Sequence, residues 1–400
     1  MGISGLLPLL RSVTDQVHIS TYADQTVAVD TYCWLHRGAV SHASALCKDP
    51  NASDCYISFV LGRIQLLLDA KVKPFLVFDG GLLPSKQDQE RLRAEKRRSN
   101  LQSAMRLESS GFKAAAERHY RQALDITPMM AKRTIDAVEA KFKDRVRLVV
   151  APYEADAQLT WLVNNGHASA ALTEDSDLLA FGCERVLFKL DGAGRVDQIC
   201  LKNLGACQQL DLARWSLAEF QLMCVLSGCD YLASPEGLGL KTAHKLVAVI
   251  RSPTRVVRRL RLQGKYKIPK DYANRVAEAL LTFQHQRVYD IVNKRLVNLY
   301  PLSDKVALQV SQDDFLGPYL ESDVATEIAK ARLDPITLKP FADMSVPNSP
   351  TKCLPSSRQM MPEKRVFQSC FVQSERITLR RQYGTVPRNS LFFEQFLKFH

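Results

Sequence analysis

The chain has 400 residues, 46% of them apolar and 24% charged, and 54 Lys and Arg against 42 Asp and Glu leave a net charge of +12. That usage excludes wholesale disorder, and the length allows roughly two to three domain equivalents around a core that needs no staples. No window approaches the ~18 unbroken apolar residues of a membrane span, because Arg63 and Asp69 interrupt and bound the stretch from Phe59 to Leu68.

Short apolar runs alternate with helical patterns through the first 230 residues. Strands are expected at Thr26–Val29, Phe75–Phe78, Val146–Val150, Ala168–Leu172 and Arg185–Leu190, with helices such as Tyr56–Leu68, Ala155–Val163 and Ser216–Leu226 between them. This alternation predicts an α/β fold: a central, mostly parallel twisted sheet with helices on both faces. Residues 82–145 interrupt it with charged, helical composition and no strand, which predicts a projection from the sheet such as a lid or arch. After Gly237 the chain turns helical and basic. From about 343 it becomes a tail of Pro, Ser and Gln with Pro347, Pro350, Pro355 and Pro362. The expected divisions are 1–99, 100–145, 146–230, 231–342 and 343–400.

The N-terminus lacks a basic n-region and a cleavage site, and Leu6 stands where a myristoylation signal wants Ser or Thr. The ten cysteines form no Cys-x-x-Cys, which excludes the usual zinc ribbon and argues against a disulfide framework. The chain is expected to be reduced, soluble and intracellular, with no membrane partner.

Each expected strand ends on acids. Asp30 follows Val27-Ala-Val, Asp79 follows Phe75-Leu-Val-Phe, Glu154 and Asp156 follow Val149-Val-Ala-Pro-Tyr, and Asp175 and Asp177 follow Ala171-Leu-Thr-Glu. In a parallel sheet the C-terminal strand ends share one edge, where such folds bind ligands. Uncompensated, these acids repel one another; oxygen donors without clustered His or Cys point to Mg²⁺ or Mn²⁺. Each has a duller explanation: a turn at Asp79-Gly80-Gly81, or a helix start at Asp30, Glu154, Asp156, Asp175 or Asp177. Asp230 has none, because an acid at a helix C-terminus faces the wrong end of the dipole and needs a metal or a basic neighbour.

Positive charge is concentrated. Lys241 to Lys270 carries ten Lys and Arg and no acid, and Lys86 to Arg106 carries seven against Asp88, Glu90 and Glu95. A solvated surface is the alternative, but an acid-free block of this length is better explained by a polyanion. An anionic membrane fits less well, because Pro253, Gly264 and Pro269 cut the block.

From Met1 to about Phe341 the sequence resembles the flap endonuclease family of structure-specific 5′ nucleases, and within it the exonucleolytic branch. The carrying motifs are Met1-Gly-Ile-Ser-Gly-Leu, Val29-Asp30-Thr-Tyr-Cys-Trp-Leu-His36, Val77-Phe-Asp79-Gly, Leu83-Pro-Ser-Lys86, Ala151-Pro-Tyr-Glu154-Ala-Asp156-Ala-Gln, Thr173-Glu-Asp175-Ser-Asp177-Leu-Leu-Ala-Phe and Leu226-Ser-Gly-Cys-Asp230-Tyr. The resemblance implies metal carboxylates at Asp30, Asp79, Glu154, Asp156, Asp175, Asp177 and Asp230, with Glu174 solvated. It implies an arch whose Lys86 and Arg93 reach the scissile phosphate, with Arg97 a turn further along. Tyr32 and His36 match aromatic positions near the displaced base and the junction. Gly2 matches a residue packed beside the site, which implies removal of Met1.

A helix–two-turn–helix opening at Gly237, Gly239, Lys241 and Lys245 would grip duplex DNA, with K⁺ held at Ser227, Ser234 and Leu238. The implied activity is metal-dependent 5′→3′ double-strand DNA exonuclease with 5′-flap cleavage, by two ions roughly 3.5–4 Å apart. A nuclear monomer is implied, serving mismatch repair, recombination or end resection, with mismatch-repair partners reached through the tail and its Asn389-Ser-Leu-Phe-Phe393 cluster. Relatives carry longer tails, so a stop at His400 fits a short tail or a fragment. Rivals are a replicative flap endonuclease, opposed by the missing clamp-binding pattern and by Glu154-Ala-Asp156, a DNA-binding scaffold that does not cut, opposed by the complete acid set, and an RNA-cleaving relative, which would not need the duplex grip.

Overall fold

Alternate residues of the central strands go to opposite faces of one sheet, and each face carries its own core. Val27, Val29, Leu76 and Phe78 pack with one set of helices, while Ala28, Phe75 and Val77 pack with the other. The computed structural model describes residues 2–303 and 314–341. Its strands are β1 (Thr14–His18), β2 (Thr26–Asp30), β3 (Lys73–Phe78), β4 (Arg147–Val150), β5 (Ala170–Thr173), β6 (Arg185–Phe188) and β7 (Arg195–Cys200), in the order β1-β7-β6-β5-β2-β3-β4. The pairs from β6 through β4 are parallel, whereas β1 and β7 join antiparallel at one edge. The sheet is therefore mixed and mostly parallel, as the strand-helix alternation predicts.

The helices of the first half are α1 (Leu6–Leu9), α2 (Thr31–Ala39), α3 (Ala43–Lys48), α4 (Cys55–Asp69), α5 (Gln87–Ser109), α6 (Lys113–Ala123) and α7 (Pro128–Phe142). Then come α8 (Ala155–Asn164), α9 (Asp177–Phe181), α10 (Leu217–Ser227), α11 (Leu240–Ile250), α12 (Pro253–Gln263), α13 (Tyr272–His285) and α14 (Ser322–Ala329). Ser216 opens α10 with a capping box closed by Glu219. Among the described residues no helix is long and apolar enough to cross a membrane, and every described cysteine is a free thiol.

Three expectations need correction. The insertion at 82–145 does not project as one unit. In the 23-residue α5 only Asn100 and Ala104 are buried, and it pairs with α6, whereas α7 buries Met130, Ala131, Ile135, Val138 and Phe142 in the core. α5 is the mostly exposed element of the insertion, and its partner α6 buries Ala116 and Tyr120 in the core. The region after Gly237 is not wholly helical, because β8 (Arg287–Asp290) and β9 (Arg295–Asn298) form an antiparallel hairpin. The antiparallel strands β1 and β7 lie outside the expected set. The proposed tail at 343–400, with the Asn389–Phe393 cluster, lies outside the described residues.

Candidate active site

Strands β2, β3, β4 and β5 point their C-terminal ends at one edge, and β2 sits where the chain reverses direction across the sheet, between β5 and β3. Asp30 is the last residue of β2 and also the N-cap of α2. Its Oδ1 accepts from the Cys33 amide (3.4 Å), and its Oδ2 accepts from Cys33 Sγ (2.8 Å) and Thr173 Oγ1 (2.9 Å). Asp79 follows β3 and accepts the Ala155 amide at 2.8 Å, so it caps α8 from a neighbouring strand. The next residue must be small, since a Cβ on Gly80 would overlap the backbone of Ala151 and Pro152. Glu154 is the N-cap of α8 and makes no side-chain cap, and Asp156 lies in the first turn. Asp175 and Asp177 are buried beyond β5, and the Asp177 amide donates to Asp175 Oδ1 (2.9 Å).

The cap roles weighed for Asp30 are real, but they leave most of the acids unexplained. Burial, then the charge of Asp30, pushes Asp79 up to about 7. Burial, then Asp175, drives Asp156 and Asp177 well above the carboxylate range. Burial likewise raises Asp175. These acids sense one another around a single edge and suffer for it. Among the described residues, however, no group of three or more His, Cys, Asp or Glu side chains is already gathered in metal-holding geometry. Two cations stand among the carboxylates instead. Lys86 Nζ reaches Glu154 Oε1 (2.5 Å) and Asp230 Oδ2 (2.9 Å), and Arg93 reaches Asp230 Oδ2 (2.7 Å) and Glu90 (2.8 Å).

The acid at the end of α10 thus has its basic neighbours. Burial alone would raise Asp230, but Lys86 and Arg93 outweigh it and hold the carboxyl below its usual range. Burial would lower Lys86, yet Glu154 and Asp230 keep it well above the usual lysine range. Arg97, one turn beyond Arg93 on α5, pairs with Asp125 at 3.3 Å. Glu174 is not simply solvated: it pairs with Arg37 at 3.0 Å.

Gly2 closes the site from the N-terminus. Its φ is +80°, and a Cβ there would overlap Asp175 Oδ1, Ser176 Oγ and Asp177 Oδ1. Only glycine combines that backbone with that approach. Tyr32 is half-buried on α2 beside Asp79, and His36 is exposed one turn further on.

Near the end of α10, Ser227 Oγ donates to Cys224 O (2.8 Å). Ser234 Oγ lies within hydrogen-bond distance of three carbonyls, those of Leu226 (3.0 Å), Pro235 (3.2 Å) and Leu238 (2.5 Å). One hydroxyl proton serves one of them well. Gly237 takes a φ of +81°, Gly239 is the N-cap of α11, and Lys241 and Lys245 are exposed on that helix. On α12, Val256, Val257 and Leu260 are buried while Arg255, Arg258, Arg259 and Arg261 face out.

Sequence reasoning assigned no role to Thr173, Tyr231 or Gln286. Tyr231 Oη donates to Glu154 Oε2 (2.5 Å), and Gln286 Nε2 donates to the same oxygen (3.0 Å). Tyr231 adjoins Asp230, a usable signal; Gln286 carries none.

The model of the XPG N-terminal domain matches residues 1–100, and that of the XPG I-region matches 145–230. The chain is 42% identical over 342 residues to exonuclease 1 of Oryza sativa subsp. japonica, which covers 85% of this chain and 40% of that protein. It is 41% identical over 347 residues to exonuclease 1 of Xenopus laevis, covering 86% and 46%. To the DNA damage-inducible protein DIN7 of Saccharomyces cerevisiae it is 34% identical over 300 residues, covering 75% and 69%. The chain spans less than half the length of these exonuclease 1 relatives. The catalytic core of Rad2 in complex with DNA substrate shares its fold, with a TM-score of 0.53 at 17% identity over 82% of this chain and 99% of that one. Both matched regions contribute acids to the sheet edge, and the identity to DIN7 runs over two thirds of that protein; the chain belongs to the XPG, or flap endonuclease, family of nucleases.

Proposed function

We propose that this chain is a divalent-metal-dependent 5′→3′ exonuclease on double-stranded DNA that also cuts 5′ flaps. The observation that carries the reading is the edge itself, where Lys86 and Arg93 from the projecting helix meet Glu154 and Asp230 among mutually repelling acids. An all-oxygen donor set suits Mg²⁺, with Mn²⁺ as substitute. The fit is supported by Asp177 Oδ1, which is buried and has no hydrogen-bond partner among the described residues. Asp30, Asp79, Glu154, Asp156, Asp175, Asp177 and Asp230 would hold the ions. Once bound, two such ions supply an activated water and support for the leaving oxygen of a phosphodiester.

The protein's own groups do the remaining work. Lys86 and Arg93 exchange their carboxylate partners for the scissile phosphate and stabilise the charge that develops on it. Tyr32 and His36 offer aromatic faces to bases that leave the duplex. Gly2 lets the N-terminal segment approach the reacting groups. Arg97 contributes a further phosphate contact when released from Asp125. The N-terminus of α11, with Gly237, Gly239, Lys241 and Lys245, receives a backbone phosphate away from the cut. Arg275 pairs with Asp88 at 3.3 Å, which ties this region to the first turn of α5. The carbonyls of Leu226, Pro235 and Leu238, with Ser227 and Ser234, suit a K⁺ ion.

The exonuclease names of the relatives support attack on recessed ends, and their eukaryotic sources support nuclear work in mismatch repair, recombination or end resection. Residues 343–400 are the expected meeting point with mismatch-repair proteins, and the chain is read as a monomer. Side-by-side digestion of a recessed 5′ end, a 5′ flap and single-stranded RNA tests the reading. Cleavage of the first two alone is expected. A flap-only product pattern would favour a replicative flap endonuclease, and RNA cleavage would overturn the reading.

A further inference from the structure

Glu154 is held asymmetrically. It caps no helix amide, although it occupies the N-cap position of α8. Its Oε2 instead receives both Tyr231 Oη (2.5 Å) and Gln286 Nε2 (3.0 Å), while among the described residues its Oε1 bonds only the Lys86 ammonium (2.5 Å). One oxygen is anchored and the other is presented to positive charge.

Both anchoring side chains are themselves fixed. The Tyr231 ring packs edge-on against Phe283 (5.0 Å between centroids) and Phe181 (6.4 Å). Gln286 is fully buried between α13 and β8. Its backbone amide donates to Thr282 O, and its backbone carbonyl accepts from the Leu299 amide. Two bonds between the Gln158 side chain on α8 and the Tyr289 backbone (2.9 and 2.7 Å) lock β8 to the helix that Glu154 opens. The Gln286 side-chain amide has one workable orientation, since turning it over would set two acceptors against each other. That orientation leaves Gln286 Oε1 buried with no hydrogen-bond partner among the described residues. A buried orphan acceptor is costly and calls for a reason.

We propose that Gln286 is a positioning residue: with Tyr231 it fixes Glu154 so that Oε1 faces the cation position, which places the hairpin region after α13 in control of the active-site carboxylate. This inference rests on the metal reading above. Partners that orient a metal-binding carboxylate typically change metal affinity or activity by about 10–100-fold when removed.

The test titrates Mn²⁺ alone, without nucleic acid, into the full 400-residue chain and reads free Mn²⁺ by electron paramagnetic resonance. Gln286→Met keeps the length and removes the donor. Mn²⁺ affinity should fall about 10–100-fold, with a matching loss of single-turnover rate and unchanged duplex affinity. In a Glu154→Gln background, Gln286→Met should cost nothing further, because the residue acts through that carboxylate. Tyr231→Phe, which keeps the packed ring, should shift Mn²⁺ binding in the same direction and serves if the first variant does not fold. Wild-type Mn²⁺ affinity in the folded variants would overturn the inference, as would an equal further loss in the Glu154→Gln background. Wild-type Mn²⁺ affinity in Glu154→Gln alone would overturn the metal reading, and this inference with it.

Discussion

Lys86 Nζ lies 2.9 Å from Asp230 Oδ2, so the base of the projecting helix α5 is pinned to the acid that ends α10. Arg93, two turns along, meets the same oxygen at 2.7 Å. Two cations on one carboxylate form a latch, and a phosphate entering the site competes for both. Lys86→Ala/Arg93→Ala should therefore lower the single-turnover rate by about 10²–10³-fold while changing duplex affinity far less. Equal losses in rate and affinity would reduce the pair to binding residues.

Asp175 and Asp230 are both assigned to metal, but their removal should differ. Asp175→Ala should abolish Mg²⁺-dependent cleavage and relieve repulsion with Asp156 and Asp177, leaving the thermal midpoint unchanged or higher. Asp230→Asn should also abolish cleavage, yet lower the midpoint, because it strands Lys86 and Arg93 without their shared partner. Duplex binding should survive in both. Near-full turnover in either variant would contradict the assignment.

The raised acids make a statement about pH. Asp79 titrates near 7 in the fold against about 4 in the unfolded chain, so the folded state binds the proton more tightly. Its contribution to stability is full below about pH 4 and is lost as pH rises through about 7. Ions that replace the proton should stabilise most where the acid is ionised. The midpoint gained from Mn²⁺ over EDTA should be larger at pH 7.5 than at pH 5.5. An equal gain at both values would detach ion binding from these carboxylates.

Gly2→Ala places a methyl group on a left-handed backbone against the oxygens of Asp175 and Asp177. The segment lies at the chain end and can swing away at little cost to the fold. Cleavage should fall at least tenfold, roughly 1.4 kcal/mol in transition-state terms, with a thermal midpoint close to the parent. Unchanged cleavage would show that the close approach of Gly2 plays no part.

On α12, Arg255, Arg258 and Arg259 face outward, whereas Arg261 already donates to the Pro269 and Lys270 carbonyls. Neutralising the first three should flatten the slope of log affinity against log salt by about 0.9 for each phosphate that is no longer neutralised. Arg261→Gln should change it less. The effect should be alike for all duplex sequences, since side chains on phosphates position a protein without reading bases. An unaltered slope would return the basic block to a solvated surface.

Strands β2 to β6 were legible because each carries a short, nearly continuous apolar run, mostly buried. The antiparallel pair β1 and β7 was not, since Thr-Asp-Gln-Val-His and Arg-Val-Asp-Gln-Ile-Cys mix polar residues into their patterns. The charge of the insertion groups α7 with α5 and α6, although Met130, Ile135 and Val138 form a helical stripe that marks a core helix. The acids of the site were legible because each closely follows an apolar strand or helix in the sequence. Their supports were not: Thr173 meets Asp30 across 143 residues, Tyr231 meets Glu154 across 77, and Gln286 meets it across 132. Pairings so distant leave no periodicity to read.

A duplex with a 3′ overhang and a label on its recessed 5′ end provides the most direct measurement. With Lys86 and Arg93 beside the carboxylates and the proposed duplex grip from α11 onward, a phosphorylated 5′ terminus should enter the site and lose short labelled products stepwise. The reaction should require Mg²⁺. Release confined to the base of a 5′ flap, with the recessed duplex untouched, would contradict the exonuclease reading, and degradation from 3′ ends would contradict the assigned polarity.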